Sequence, residues 1–272
     1  MDQSQPESKS SLDRMLAKQP DRDASCPEHG PFTSKNVFGR VWSSCPTCAE
    51  KARAEESEKT RRAEQQLENE RMERRLAQSG LVGRFQEATF DNFDAPSTAR
   101  EHVKTTCRNF VEGLDGKSGG LWLVGPPGTG KTHLGSAMVN YVIREKKQWA
   151  AIHSAREIVR MLRATWGNKD SRRGWDDKPT TEEGVIDHLG SLQLLVLDEV
   201  GVSYGSDSET VQLFDVLDLR YRKELPTVLL SNLPVGELKT ALGDRAYDRL
   251  REGAVLVPCK WASRRTSGSK AA

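Results

Sequence analysis

Largely apolar runs at 121–124, 150–153, 194–197, 227–230 and 255–258 alternate with longer mixed stretches through the second half of the chain. Short runs of this kind, bounded by glycine, proline or polar residues, predict strands buried on both faces. The stretches between them predict helices near 97–112, from the end of a glycine-rich loop to about 147, at 155–166, at 208–225 and at 240–251, with a polar, basic insert reaching 179. Strands alternating with helices predict an α/β fold, a parallel sheet covered on both faces.

The N-terminal part follows no such alternation. Positions 1–25 are polar apart from Leu12, Met15 and Leu16, which fits a solvated tail or a short amphipathic helix that docks on a partner. From 50 to 79 Glu, Lys, Arg, Ala and Gln dominate, with Leu67, Met72 and Leu76 the only large apolar residues. Glu55 and Lys59, Glu58 and Arg62, and Glu70 and Arg74 are four apart in the favourable order, so a long solvated helix is expected, ended by Gly80. Such a helix spans about 45 Å and would serve as a spacer. The expected organisation is a polar tail (1–25), a small module (26–50), a charged helical linker (51–79), an α/β domain (80–263) and a flexible tail (264–272).

Composition adjusts this picture at the margins. Of 272 residues 36% are hydrophobic, enough for one core but low for the whole length, as a tail and an exposed linker require. A net charge of +2 provides no global field for nucleic acid, so any DNA contact must come from local basic clusters. Five cysteines, no cationic and apolar N-terminus and no long apolar run lead to the expectation of a cytoplasmic protein without a membrane span.

Candidate chemistry begins where the run at 121–124 ends. Gly125-Pro126-Pro127-Gly128-Thr129-Gly130-Lys131-Thr132 has the G-x-x-x-x-G-K-[ST] spacing of a phosphate loop, and His133 follows directly. Glycines let backbone N–H groups wrap the β- and γ-phosphates of ATP, or the β-phosphate of ADP, Lys131 brings a positive charge, and Thr132 offers a hydroxyl to Mg²⁺. The run at 194–197 ends in Asp198-Glu199, where a buried strand would deliver Asp198 to Mg²⁺ and Glu199 to the attacking water. Asn232, after the run at 227–230, either bridges γ-phosphate and water or caps the turn before Pro234. Arg245 and Arg249 share a helical face, and either reach a neighbouring subunit's site or pair on the surface with Asp244 and Asp248.

Two further constellations lie outside this set. Cys26-Pro27-Glu28-His29 and Cys45-Pro46-Thr47-Cys48 are spaced to close a structural Zn²⁺ site with four protein ligands, the intervening loop with Phe32, Phe38 and Trp42 forming a hairpin over it. Free cysteines or a disulfide are the alternatives. Arg156, Arg160, Arg163, Trp166, Lys169, Arg172, Arg173 and Trp175 interleave cations with aromatics, as suits unpaired bases and phosphates, although Trp166 also fits ordinary helix packing. Ser203, Tyr204, Ser206 and Ser208 extend the same candidate surface.

The strings Gly-Pro-Pro-Gly-Thr-Gly-Lys-Thr-His-Leu, Leu-Leu-Val-Leu-Asp-Glu-Val-Gly-Val, Leu-Leu-Ser-Asn-Leu and Gly-Asp-Arg-Ala-Tyr-Asp-Arg-Leu, in this order, resemble the AAA+ ATPases of the DnaC and IstB group. The similarity is greatest to DnaC-like replicative helicase loaders and covers roughly 80–262. It implies an AAA+ P-loop fold that hydrolyses ATP, with Lys131 and Thr132 as Walker A, Asp198 and Glu199 as Walker B and Asn232 as sensor 1. Arg249 would be the arginine finger, with Arg245 beside it, and Arg264 or Arg265 a second sensor. The partners it implies are a hexameric DnaB-like replicative helicase, single-stranded DNA and further copies of the chain through their AAA+ domains, in a bacterial or phage-infected cell. Residues 1–79 are expected to grip the helicase. An IstB-like transposition helper, binding duplex DNA and a transposase, and a non-hydrolytic ATP-switched adaptor are the competing expectations.

Overall fold

The computed structural model describes residues 20–37, 41–114, 119–165, 181–201 and 207–263, with side chains of the last stretch from Leu213 onward. The chain divides into two compact units, Met1–Asn69 and Glu70–Ala272.

In the first unit β1 (Arg22–Cys26) and β2 (Gly30–Ser34) pair antiparallel, with Cys26 opposite Gly30. The expected hairpin lies between the two cysteine motifs; the observed one carries the first motif in its turn, because Pro27, Glu28 and His29 are the residues that reverse the chain. Trp42 is held by a bridge to Asn36 and by the Arg22 guanidinium 4.2 Å from its ring centroid. Phe38 lies outside the described residues. Helix α1 (Pro46–Ala77) starts at Pro46 rather than near 50, since proline fits a first helical position where its missing N–H costs no bond. Within α1, Glu58 pairs with Arg61 at 2.9 Å and Arg62 at 2.7 Å, and no residue of the helix is buried.

In the second unit the end of α1 supplies Met72 and Leu76 to the core. Ser79 Oγ donates to Leu76 O at 2.7 Å, and Gly80 then takes φ 74, where a side chain would strike the Ile152 carbonyl. Glycine is therefore required at the point where the Ser79 carbonyl accepts from Ile152 N–H at 2.8 Å and covers the edge of the sheet.

Helix α2 (Thr98–Glu112) precedes the phosphate-loop strand β3 (Leu121–Val124). There follow α3 (Lys131–Arg144), β4 (Ala150–Ser154), α4 (Ala155–Ala164), α5 (Glu182–Ser191), β5 (Leu194–Val200), α6 (Asp207–Arg222), β6 (Thr227–Ser231), α7 (Val235–Leu242), α8 (Asp244–Arg251) and β7 (Val255–Pro258). The sheet order is β4-β5-β6-β3-β7, every pair parallel. Alternation divides each strand between two cores. Leu121, Leu123, Val196 and Leu230 join α2 and α3 on one face, while Trp122, Leu195, Leu197 and Leu229 join α4 to α8 on the other.

Two elements depart from the sequence expectation. Helix α5 has none in it, since its short apolar face of Val185 and Leu189 follows a polar insert; Thr181 caps it by accepting from Gly184 N–H at 3.1 Å. The single helix expected at 240–251 is two, α7 and α8, divided at Gly243 with φ 78.

Candidate functional site

Strand β3 delivers the phosphate loop to the carboxyl edge of the sheet, between β6 and β7. Gly130 closes the loop in the left-handed region, φ 93, just before α3. A Cβ there would lie 2.6 Å from the Phe93 ring, so backbone and space both demand glycine. Lys131 is buried, its ammonium donating to Gly125 O at 2.7 Å, Pro126 O at 2.9 Å and Thr129 Oγ1 at 3.3 Å. The N–H groups of the first turn of α3 add a positive field at the same end.

Strand β5 carries Asp198 and Glu199. Its register against β6 shifts between Leu197 and Val200, and Glu199 adopts φ 55, a conformation costing a non-glycine residue about 1–3 kcal/mol. Strict alternation would send consecutive side chains to opposite faces, but the bulge re-aims them and both border one cavity. Burial pushes the Asp198 carboxyl above the usual carboxylate range, opposed by the neighbouring Thr132 hydroxyl and by a hydrogen bond from Glu199 N–H at 2.7 Å. Because β6 lies between β3 and β5, the residue after its end enters between the two motifs. That residue is Asn232. Ser231 Oγ donates to Val200 O at 2.6 Å and so ties the end of β6 to the bulge.

Lys131, Thr132, Asp198, Glu199 and Asn232 thus meet in a cavity of about 650 Å³, a volume suited to a nucleotide. Pro127, Gly128, Thr129, Gly130 and His133 also line it, while Gly125 and Pro126 turn their carbonyls to Lys131. The opposite wall comes from residues no motif marks: Arg84, Phe85, Phe93 and Arg100. Buried Asn140 on α3 holds that wall by donating to Phe85 O at 3.2 Å and Ala88 O at 2.9 Å. His133 Nε2–H donates to Thr89 O at 3.1 Å, its ring 5.5 Å from that of Phe93. Arginines and aromatics shortly before β3 are the only signal the sequence contains. Another unmarked residue, Trp261, donates its indole N–H to Thr129 O at 3.0 Å.

Arg249 is not part of this cavity. Its guanidinium is ion-paired with Asp218 on α6 and lies 4.7 Å from the Phe214 and 5.4 Å from the Tyr221 ring centroid. Arg245 is exposed, and Asp244 pairs with Lys239 at 3.6 Å. On α4, Arg156, Arg160 and Arg163 face outward from a buried side of Ile158, Val159 and Leu162. Trp166, Lys169, Arg172, Arg173, Ser206, Arg264 and Arg265 lie outside the described residues, as does the side chain of Ser208.

In the first unit, Cys26, His29, Cys45 and Cys48 place four ligand atoms within 4.8 Å of one another. Cys26 Sγ is 3.6 Å from Cys48 Sγ and 3.6 Å from His29 Nδ1, and Cys48 Sγ is 3.3 Å from His29 Nδ1. Sulfurs each about 2.3 Å from a tetrahedral zinc lie about 3.8 Å apart, so the donor set fits that ion. The Glu28 backbone N–H and then His29 hold the Cys26 thiol down to about 6, whereas Cys48, hydrogen-bonded to Cys26, is pushed up to about 11.

Residues 51–272 match the model of the family described as IstB-like ATP binding protein. The chain is 31% identical over 197 residues to the replicative helicase loader DnaC of Escherichia coli K12, covering 72% of this chain and 76% of that protein. A crystal structure of the DnaC helicase loader superposes with a TM-score of 0.56 at 20% identity, covering 65% of this chain and 99% of that one. A crystal structure of DnaI gives 0.52 at 23% identity, covering 66% and 95%. No helix among the described residues is long and apolar enough to cross a membrane. The five-stranded parallel sheet with its phosphate loop has the AAA+ fold, and the chain belongs to the IstB-like ATP binding protein family as one of its AAA+ ATPases.

Proposed function

We propose that this chain is a DnaC-like ATPase of DNA replication that loads a hexameric DnaB-like helicase onto single-stranded DNA in the cytoplasm. The observation that carries the reading is 31% identity across 76% of a replicative helicase loader, and the nucleotide cavity lies within the residues 51–272 that match the family model. The same core would serve an IstB-like transposition helper, but the relative matched over this length is a loader.

At the cavity Lys131 moves its ammonium from the loop carbonyls to the β- and γ-phosphates of ATP. Thr132 and Asp198, which line the same cavity, would hold Mg²⁺, which neutralises charge on the phosphate oxygens when bound. Glu199 accepts a proton from water as the water oxygen attacks the γ-phosphorus. The bond from phosphorus to the β,γ-bridging oxygen breaks, giving ADP and inorganic phosphate. Asn232 orients water and γ-phosphate. Arg249, with Arg245 beside it, stabilises the transferring phosphoryl of a neighbouring subunit; its position away from its own cavity supports that role.

Arg163 on the basic face of α4, together with Trp166, Lys169, Arg172 and Arg173 later in the sequence and Ser206 and Ser208, contacts single-stranded DNA. Cys26, His29, Cys45 and Cys48 hold a structural Zn²⁺, and residues 1–79 grip the helicase. Affinity purification followed by ATPase assay tests the whole reading. A replicative helicase is expected to co-purify and to be lost on deletion of residues 1–79, with ATP turnover responding to single-stranded DNA. Capture of a transposase in place of the helicase would overturn it, and ATP binding without turnover would leave the adaptor.

A further inference from the structure

We infer that Trp261 is a positioning residue of the nucleotide site, its indole holding the phosphate loop in the conformation that presents a backbone N–H to the phosphates. The proposal rests on reading 125–132 as the nucleotide loop.

After β7 the chain crosses the outer side of that loop. Cys259 N–H donates to Val124 O at 2.7 Å, and Trp261 Nε1–H donates to Thr129 O at 3.0 Å. The next turn packs so closely that a Cβ on Gly128, itself at φ 82, would collide with the Ser263 side chain. The indole is held from its other side. Arg100, in the first turn of α2, sets its guanidinium 5.7 Å from the Trp261 ring centroid and donates to Ala262 O at 3.3 Å, while also lining the cavity.

The consequence follows from the peptide plane. In a trans peptide the C=O of one residue and the N–H of the next point in opposite directions, and no peptide bond among the described residues is cis. Fixing Thr129 C=O towards Trp261 therefore turns Gly130 N–H the opposite way. Thr129, Gly130 and Lys131 line the cavity and Trp261 does not, so that opposite direction is the phosphate side. Glycine at φ 93 has more conformational freedom than other residues, and without the indole the 129–130 peptide is free to rotate. The N–H that a phosphate needs would then be ordered only at the expense of binding.

The test is equilibrium binding of Mg-ATP and Mg-ADP to the full chain and to Trp261→Phe, which keeps a ring over Arg100 and removes the donor. Kd is expected to rise about five-fold for both nucleotides, the effect of one neutral hydrogen bond. Turnover should show KM raised in parallel and kcat within about two-fold of the unsubstituted chain, a split that simple loss of folded protein does not produce. Unchanged Kd values in a folded Trp261→Phe chain would overturn the proposal. Lys131→Ala tests the underlying reading separately: loss of ATP binding there with normal binding in Trp261→Phe removes only the role of the indole. Where Trp261→Phe does not fold, the assigned Trp261 indole N–H resonance of the unsubstituted chain decides. It is expected to shift on addition of Mg-ATP, and an unmoved resonance would overturn the proposal.

Discussion

Thr132, in the first turn of α3, and Asp198, on β5, line one cavity, so two motifs that are remote in sequence meet there. Their two oxygens would share a cation, and losing one such charged contact costs about 1.5–3 kcal/mol. Thr132→Val should therefore weaken Mg-ATP binding about ten-fold or more. In EDTA the two chains should bind ATP alike, because the loop N–H groups and Lys131 remain. Titration calorimetry with and without Mg²⁺ separates these outcomes, and equal losses in both conditions would mean a distorted loop and not a lost ligand.

Glu199 holds φ 55 at a bulge, where it borders the cavity and remains exposed. Its carboxylate is assigned the proton of the attacking water and no contact that binding requires. Glu199→Gln is expected to keep ATP affinity within about two-fold and to lower turnover by about 10²–10⁴. A nucleotide-binding titration beside a phosphate-release assay checks both numbers, and residual turnover within ten-fold would require a different base.

Arg249 is ion-paired with Asp218 and bordered by Phe214 and Tyr221, so its guanidinium is fixed on α8 outside its own cavity. If it completes a neighbour's site, Arg249→Ala and Lys131→Ala chains damage opposite sides of one interface. Each alone should be inactive, and mixing them should restore turnover at interfaces that combine an intact loop with an intact arginine. The measurement is ATPase activity of the mixture with single-stranded DNA; a mixture no more active than its components would sink the assignment in trans.

What the sequence made legible was whatever has a fixed period or spacing. All five parallel strands, the phosphate loop and the Asp198-Glu199 pair are such features, because buried strands and backbone nests tolerate few residue types. Helix α5 escaped because its apolar face has too few positions to set a period beside a polar insert. Arg84, Phe93, Arg100 and Trp261 escaped for a different reason: the first three reach the cavity, and Trp261 the loop beside it, through tertiary packing of separate segments, and nothing local in the sequence encodes that approach. The bulge at Glu199 is likewise a property of the β5–β6 register and not of either strand alone.

Acid should destabilise the second unit through two histidines. Burial pushes the imidazole pKa of both His153 and His188 below the ordinary 6.5; at His153 Glu157 opposes this and His188 adds to it, while His188 packs edge-on to Trp149 with centroids 6.4 Å apart. The unfolded chain takes up protons near 6.5 that the folded unit accepts only at lower pH. This contribution to stability is therefore complete above 6.5 and declines as pH falls through and below it. Replacing His153 by Asn and His188 by Gln should flatten the fall in Tm between about pH 7.5 and about pH 5.5. An unchanged slope in thermal melts would place the acid sensitivity elsewhere.

The first unit has little apolar material with which to fold: its described helix buries nothing, and Val37 and Val41 of the loop beyond the hairpin are exposed. What organises it is the cluster of Cys26, His29, Cys45 and Cys48, whose donors come from the end of β1, the hairpin turn and the start of α1. A zinc bound there contributes its binding energy as folding energy, so chelation should melt the module and not merely empty it. We expect about one zinc per chain by chromogenic assay, lost in Cys48→Ser. Chelated chain should be cleaved rapidly by protease between residues 20 and 45, while Mg-ATP affinity of the second unit, which has its own core, stays within about two-fold. Protection of the 20–45 segment that survives complete removal of zinc would show that the hairpin and α1 fold without metal.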